Sequence, residues 1–134
     1  MTISFHPDPG TILLCDYSTG FIEPEMVKRR PAVVLSARLR NRDFLCAVVP
    51  LSTTAPDTVE AYHVHLRLIR PLPKPFSNPA MWAKCDMLAT VAFERLTPFG
   101  IGRNPAGQRR YVYPKLTAEQ FAAVRKSVLA GLGL

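Results

Sequence analysis

The feature that most constrains the fold is a series of strand-like segments that follow one another without helices between them. Each segment is a short apolar run or alternates with period two, and clusters of Gly, Pro, Asn or Asp separate it from the next. Parallel strands need a long crossover, usually a helix, so this pattern favours antiparallel pairing. The predicted strands cover residues 11–16, 30–36, 44–51, 61–69 and 81–92.

Alternation is clearest in the segment AYHVHLRLI, residues 61–69. Successive side chains of a strand point to opposite faces, so this segment is predicted to have one buried face and one polar face. The buried set is Val64, Leu66 and Leu68, and the polar set is His63, His65 and Arg67.

Loops are predicted where turn residues accumulate. PLPKPFSNP, residues 71–79, is rich in proline, which cannot donate to a strand ladder. Residues 103–110 are rich in Gly, Pro and Arg, and residues 17–29 show no sustained period.

One helix is predicted, beginning after Thr117. The sequence T-A-E-Q places Gln120 at the third helical position, which is the arrangement of a capping box. Phe121, Val124, Val128 and Leu132 then recur at helical spacing. We therefore predict a single, mainly β domain over residues 1–134, a small antiparallel barrel or curled sheet with a C-terminal helix packed on it.

Composition limits the partners. The 134 residues carry a formal charge of +7 with a pI of about 9.8. This balance favours polyanions such as nucleic acid, although a basic protein without such a partner fits it too. The start MTISFHPDPG does not resemble a signal peptide, and no apolar run is long enough for a membrane span. We expect a cytoplasmic protein with reduced thiols at Cys15, Cys46 and Cys85.

Positive charge at the start of a predicted strand is the most unusual feature of the sequence. VKRRPAVVLS, residues 27–36, runs from cations through a proline into an apolar strand. A guanidinium held there would be less mobile than one on a loop, and its planar fork matches phosphate oxygens. Ser52 and Thr53 end a neighbouring apolar strand and can add hydroxyl donors. In the alternative interpretation, Arg29 and Arg30 are solvated and the hydroxyls cap a turn.

Metal-dependent and nucleophilic enzyme classes have no support in the sequence. It contains no GxSxG, HExxH, P-loop or GxGxxG motif, and no CxxC pair for structural zinc. His63 and His65 place two imidazoles on one strand face, but no third ligand is fixed by spacing, and an ordinary surface pair explains them. We expect no metal and no other cofactor.

Four segments together resemble the PemK/MazF family of toxins. They are PGTILLCDY, KRRPAVVLS, AVVPLSTT and KCDML, which occur between residues 9 and 96 in the family's order and roughly its spacing. The resemblance implies a small SH3-like β-barrel that forms homodimers. It also implies an endoribonuclease that cleaves single-stranded RNA without a metal and is neutralised by an acidic antitoxin.

The resemblance also assigns roles to residues. Arg30 matches the family's active-site arginine, Ser52 its hydroxyl residue, and Glu25 an acid in the preceding loop. Lys84 and Asp86 match a basic-x-acidic pair that some members use in proton transfer. Lys28, Arg29, Thr53 and Trp82 are the expected RNA-binding residues. In the alternative interpretation of the basic-x-acidic pair, Lys84 and Asp86 form a surface ion pair.

The sequence departs from the family at three places. The loop reads FIEPEMVK where many members have a more polar loop with a glycine, Lys84 replaces an arginine of some members, and residues 71–79 resemble an insertion. Two other functions therefore stay open: a module that binds RNA or protein without cutting, and a gyrase-inhibiting toxin on the same barrel. The chain ends AGLGL, without the large aromatic residue often found in the gyrase-inhibiting class.

Alternation in MWAKCDMLATVAF predicts how the second half of the site is arranged. It places Trp82, Lys84 and Asp86 on one face, and it places Ala83, Cys85 and Met87 on the buried face. A base could stack on Trp82. Asp86 is then the predicted catalytic base, with Glu25 as the alternative.

Overall fold

The computed structural model describes all 134 residues and is mainly β, as the strand pattern predicts. It contains nine strands, two single 3₁₀ turns and one helix. The strands are β1 (Ile12–Asp16), β2 (Arg29–Val34), β3 (Leu45–Ser52), β4 (His63–Arg67), β5 (Ala80–Lys84), β6 (Ala89–Ala92), β7 (Leu96–Thr97), β8 (Phe99–Arg103) and β9 (Arg109–Val112). The 3₁₀ turns are Cys85–Met87 and Phe93–Arg95, and the helix α1 is Ala118–Gly131.

The strands pair antiparallel, and most belong to one curled sheet. Its order is β4-β5-β3-β2-β1-β7, and β6 pairs with β3 beside this path. β8 and β9 form a separate hairpin. The long strand β3 is the centre of the sheet because it pairs with β2, β5 and β6.

Two apolar clusters lie on opposite faces of the sheet, and alternation along β2 shows the division. Val33 belongs to the larger cluster with Val49, Leu66 and Val124, whereas Ala32 and Val34 belong to the smaller one. In β4 the predicted faces are confirmed, since Leu66 is buried in the larger cluster and Val64 packs against it. The larger cluster is covered by α1, so the helix completes the core on one side of the sheet.

The predicted strand 81–92 is interrupted. Both β5 and β6 pair with β3, but Cys85–Met87 forms a 3₁₀ turn between them. The pairs Leu51↔Ala83 and Val48↔Ala89 show that six residue steps on this side oppose three steps of β3. The extra residues form the 3₁₀ turn, in which Cys85 is buried in the core and Asp86 is exposed.

A hairpin replaces one predicted loop. Residues 103–110 include the end of β8, the turn and the start of β9. The side chain of Asn104 closes the turn by accepting from the amide of Gln108 at 2.9 Å. Gly107, at φ 80°, supplies the left-handed conformation that the turn requires. The residues 71–79 form a loop, as predicted.

The predicted capping box is confirmed at α1. Thr117 Oγ1 accepts from the amide of Gln120 at 3.1 Å, and Gln120 Oε1 accepts from the amide of Thr117 at 3.0 Å. Val124 and Val128 are buried, but Leu132 lies just past the helix end and is 55% exposed. Leu132 continues the helical spacing in the sequence but stays exposed, because the helix ends before it.

The three cysteines are free and buried, as expected. Burial raises the pKa of Cys15 and Cys46 to about 11 and that of Cys85 to about 12, which keeps these thiols protonated. Helix α1 is not long and apolar enough to span a membrane.

Candidate functional site

Arg30 and Ser52 meet at the point where β2 and β3 leave the core. The register that pairs Ala32 with Pro50 places Arg30 opposite Ser52. Arg30 Nη1 donates to Ser52 Oγ over 3.4 Å, a long hydrogen bond. Arg30 Nε is buried and has no partner. The guanidinium is therefore held on one side while part of its donor capacity is unused.

The Ser52 hydroxyl has both of the roles considered in the sequence analysis: it contacts Arg30 and it caps a turn. Its residue is only 6% exposed, and its Oγ also accepts from the amide of Thr54 at 3.1 Å. The hydroxyl thus caps the turn after β3 and receives Arg30 at the same time. Thr53 is exposed in the same turn.

The row of side chains continues across the sheet. Ser52 pairs with Trp82 of β5, and Trp82 pairs with His65 of β4. The rings of Trp82 and His65 stack, with centroids 4.5 Å apart and planes 20° apart. Lys84 pairs with His63 and shares the face of Trp82. The structure thus brings Arg30, Ser52, Trp82 and Lys84 to one face of the sheet.

A groove beside this row is built from the loop before β2. Glu25, Lys28 and Arg30 line it together with Met87. The Glu25 side chain accepts from the amide of Ile22 at 3.2 Å, and the Glu25 amide donates to the Ile22 carbonyl at 2.8 Å. These bonds hold the carboxyl at the rim of the groove.

Arg95, which the sequence analysis did not single out, holds this loop in place. Its Nη1 donates to the carbonyls of Asp16 and Thr19 at 3.0 and 2.7 Å. Its guanidinium also lies 4.7 Å from the centre of the Phe21 ring. A single arginine among many gave no signal in the sequence, because its contacts are to distant backbone.

Asp86 is positioned by the 3₁₀ turn and not, as predicted, by strand alternation. β5 ends at Lys84, so the alternation that placed Asp86 beside Lys84 does not extend to it. Asp86 is exposed on the 3₁₀ turn and lines a groove with Glu25, Met26 and Met87. This groove adjoins the one that Arg30 lines, since Glu25, Met26 and Met87 belong to both.

The structure contradicts one expectation and one alternative interpretation for this turn. Met87 was predicted to face the core, but it lines both grooves because the turn breaks the alternation. The surface ion pair between Lys84 and Asp86 is absent: the ion pairs in the chain are Arg38–Asp43 and Lys115–Asp8. Lys84 and Arg30 are therefore free of carboxylates in the chain.

Helix α1 fixes the turn from behind. A Cβ atom on Gly131 would lie 2.9 Å from the Cα of Asp86, closer than real contacts allow. Glycine at the end of α1 lets the helix touch the backbone that carries Asp86.

Arg29 does not extend the Arg30 site along the same face. It alternates to the other face of β2, pairs across the ladder with Asp16, and lines a groove with Lys74 and Phe99. The pKa of Asp16 is lowered by hydrogen bonds from Ser18, first from its hydroxyl and then from its amide, and less by the charge of Arg29. Arg29, an expected RNA-binding residue, therefore lies outside the Arg30 groove, whereas Lys28 lines it.

The histidines are occupied by other contacts. His63 Nδ1 accepts from the amide of Glu60 at 3.0 Å, and His65 stacks on Trp82. No group of three or more His, Cys, Asp or Glu side chains is arranged to hold a metal ion.

The arrangement suits anion binding with proton transfer. Arg30 and Ser52 present donors at one point, Lys84 adds a second cation on the same face, and the carboxyls of Glu25 and Asp86 line the adjoining groove. Donors that stabilise a phosphate charge, beside carboxyls that can accept a proton, are the components of phosphoryl transfer without a cofactor.

Known proteins resemble this chain along nearly all its length. A family model described as PemK-like, MazF-like toxin of type II toxin–antitoxin system matches residues 8–130. The protein YifN of Escherichia coli (strain K12) is 28% identical, with 98% of this chain and 95% of YifN covered.

Solved structures share the fold. An endoribonuclease in complex with its cognate antitoxin, from a mycobacterial species, is 19% identical with a TM-score of 0.64, covering 96% of this chain and 97% of its own. MazF from Deinococcus radiodurans is 20% identical with a TM-score of 0.64, covering 98% and 100%. At these identities the likeness concerns the fold.

Proposed function

Because the chain belongs to the PemK-like, MazF-like family of type II toxin–antitoxin toxins, we propose that it is an endoribonuclease that cleaves single-stranded RNA without a metal ion. The observation that carries the proposal is the Arg30–Ser52 pair. A half-buried guanidinium with an unpaired Nε, bonded to a buried hydroxyl, is the proposed site for one phosphate group.

The reaction would use the RNA's own 2′-hydroxyl as nucleophile. Its oxygen attacks the adjacent phosphorus as a carboxylate takes its proton, and the 5′-oxygen of the next nucleotide leaves with a proton from an acid. The products are a 2′,3′-cyclic phosphate and a 5′-hydroxyl. Arg30 and Ser52 stabilise the charge that develops on the phosphoryl oxygens.

Asp86 is the proposed base and Lys84 the proposed acid or charge stabiliser. Asp86 stands on a turn clamped between β5, β6 and α1, whereas the carboxyl of Glu25 is engaged by the amide of Ile22. A base held by a rigid support keeps its geometry through the reaction. Glu25 then shapes the rim of the groove.

Trp82 and Lys28 would hold the RNA outside the reacting phosphate. Trp82 is half-buried and on the face of Arg30, where a base can stack on its indole. Lys28 lines the groove and adds positive charge for a neighbouring phosphate, and the exposed hydroxyl of Thr53 can donate to another.

We propose two protein partners. One is a second copy of the chain, and the other is an acidic antitoxin. The mycobacterial endoribonuclease was solved with its cognate antitoxin. An acidic polypeptide bound over Arg30, Lys28 and Lys84 would neutralise the cations that RNA needs.

Cleavage of single-stranded RNA in excess EDTA tests the function. We expect cleavage to persist in EDTA, and Arg30→Lys to lose about a hundredfold or more in rate, since lysine lacks the planar fork. Arg40 is an exposed arginine that lines neither groove of the site, so Arg40→Lys serves as the matched control and should cleave like the wild type.

Two results would count against the proposal. Loss of all cleavage in EDTA, restored by a divalent ion, would replace the metal-free mechanism and return His63 and His65 to consideration as ligands. Equal cleavage rates of Arg30→Lys and Arg40→Lys would show that the planar guanidinium of Arg30 is not needed for catalysis.

A further inference from the structure

Nearly all of the net charge lies on two segments away from the Arg30 row. Residues 70–80 and 98–115 hold six of the 17 lysines and arginines and none of the ten acidic residues, so they account for six of the net +7. The remaining 11 cations and ten acids nearly cancel. The six are Arg70, Lys74, Arg103, Arg109, Arg110 and Lys115.

The two segments lie side by side. One groove between them is lined by Arg70 and Lys115, and another is lined by Lys74, Phe76 and Phe99. The rings of Phe76 and Phe99 contact each other with centroids 6.3 Å apart. We call residues 70–80 and 98–115, together with Arg29, the basic face.

Most cations of the basic face have no partner within the chain. Lys115 pairs with Asp8 at 2.8 Å, and Arg103 Nη1 donates to the Gly107 carbonyl at 2.7 Å. The other five are exposed and form neither an ion pair nor a side-chain hydrogen bond: Arg29, Arg70, Lys74, Arg109 and Arg110. Unpaired charges of one sign repel each other, which favours a bound polyanion.

The basic face and the candidate site meet at the start of β2, on opposite faces of that strand. Lys28 and Arg30 line the groove of the site, whereas Arg29 between them lines the groove of Lys74. The segment 28–30 is therefore a shared edge, and a polyanion that leaves the site over this edge reaches the basic face.

We infer that the basic face binds the phosphate backbone of the RNA that flanks the cleaved position. This inference rests on the proposed function, which supplies the RNA. Exposed, dispersed arginines and lysines suit a charged backbone, because their forks and ammonium groups contact phosphates without reading sequence. Long substrates should therefore bind more tightly than short ones, in a way that depends on salt.

Two variants of equal charge test the inference. Lys74→Gln/Arg109→Gln/Arg110→Gln removes three charges from the basic face and leaves Arg103, which closes the hairpin. Arg38→Gln/Arg40→Gln/Arg42→Gln removes three charges from another exposed segment. Binding is measured with 2′-O-methyl RNA of about 6 and about 24 nucleotides, which lacks the attacking hydroxyl, and circular dichroism checks the fold.

We expect the basic-face variant to bind the long RNA about tenfold or more weakly than the control variant near 100 mM salt, with little change for the short RNA. The slope of log affinity against log salt for the long RNA should fall by about 2, since each phosphate contact on a single strand contributes about 0.7. A long RNA offers more binding registers than a short one, but this statistical gain is the same for both variants and cancels when their affinities are compared.

Three outcomes would overturn the inference. Equal losses in the two variants would show a general charge effect, and an unchanged affinity for long RNA would show that the basic face does not contact it. A loss of binding to a poly-glutamate peptide without a loss for RNA would assign the face to an acidic polypeptide. Cleavage by the wild type separates the two proposals: length-dependent binding without cleavage would refute only the proposed function.

Discussion

At the scale of single residues, two carboxyls line the adjoining grooves, and they differ in their support. Asp86 stands on a turn whose backbone touches α1, while Glu25 accepts a hydrogen bond from its own loop. A proton acceptor needs a fixed position near the 2′-hydroxyl, so the support of Asp86 favours it as base.

Substitution of both acids tests this choice. Asp86→Asn should lower cleavage by about a hundredfold or more, since general base catalysis contributes about 10²–10⁴. It should keep or tighten binding of uncleavable RNA, because a negative charge leaves a phosphate site. Glu25→Gln is the matched variant and should retain most of the rate in single-turnover assays.

The opposite ranking of these variants would make Glu25 the base. If the Asp86→Asn protein does not fold, Asp86→Glu tests the catalytic role instead. This variant restores a carboxyl and should recover part of the rate. A folded Asp86→Asn variant that cleaves normally would show that Asp86 is structural.

The neighbours of these residues show how far the sequence determines the site. Trp82 and Lys84 share a face because both lie in one strand, so alternation predicted them correctly. Asp86 and Met87 follow two and three residues later but lie in a 3₁₀ turn, where alternation has no meaning. Arg29 lies within β2 and alternates away from Arg30, so the two adjacent arginines line different grooves.

At the scale of elements, the contact between α1 and the Asp86 turn is the most specific. Alanine is the better helix former by up to about 1 kcal/mol, so Gly131 is unfavourable for the helix alone. An added Cβ would lie 2.9 Å from the Asp86 Cα and 3.1 Å from its amide nitrogen. The contact therefore outweighs the helix preference.

Gly131→Ala should destabilise the protein by about 1–3 kcal/mol, as overpacking does, and should lower cleavage because the turn moves. Urea unfolding followed by circular dichroism gives the stability. Gly100→Ala is the control, because no heavy atom lies within 4 Å of its added Cβ. A Gly131→Ala protein as stable and active as the control would show that α1 and the turn can separate freely.

The hairpin of β8 and β9 shows why one element escaped prediction. Its residues are largely exposed and rich in Gly and Arg, so neither an apolar run nor alternation marks them. Burial is what makes a strand visible in a sequence, as in β3, where all but two of the residues are buried. Only Phe99 at the base of the hairpin is buried in the core.

At the scale of the whole molecule, the end of α1 exposes apolar surface. Leu129, Leu132 and Leu134 are 51%, 55% and 84% exposed. A cluster of this kind on a protein with a polar, basic surface is typical of an interface. We expect a homodimer, which sedimentation equilibrium over a series of concentrations can measure. A monomer at micromolar concentration would contradict the expectation.

The overall fold was predictable because its strands are bounded by turn residues and its helix by a capping box. The location of the positive charge on the surface was not predictable. Residues 70–80 and 98–115 are distant in sequence and become neighbours only through the packing of Phe76 on Phe99. A count of lysines and arginines therefore does not show that six of them lie on the basic face.

The turn between β5 and β6 also affects how insertions and deletions can accumulate in this protein during evolution. Both strands take their register from β3, so a residue gained or lost in the turn leaves either ladder in place. The same change within β3 would send every following side chain to the opposite face. The acid at Asp86 therefore stands where the sheet register sets no length, and the contact with Gly131 of α1 is what restricts the turn.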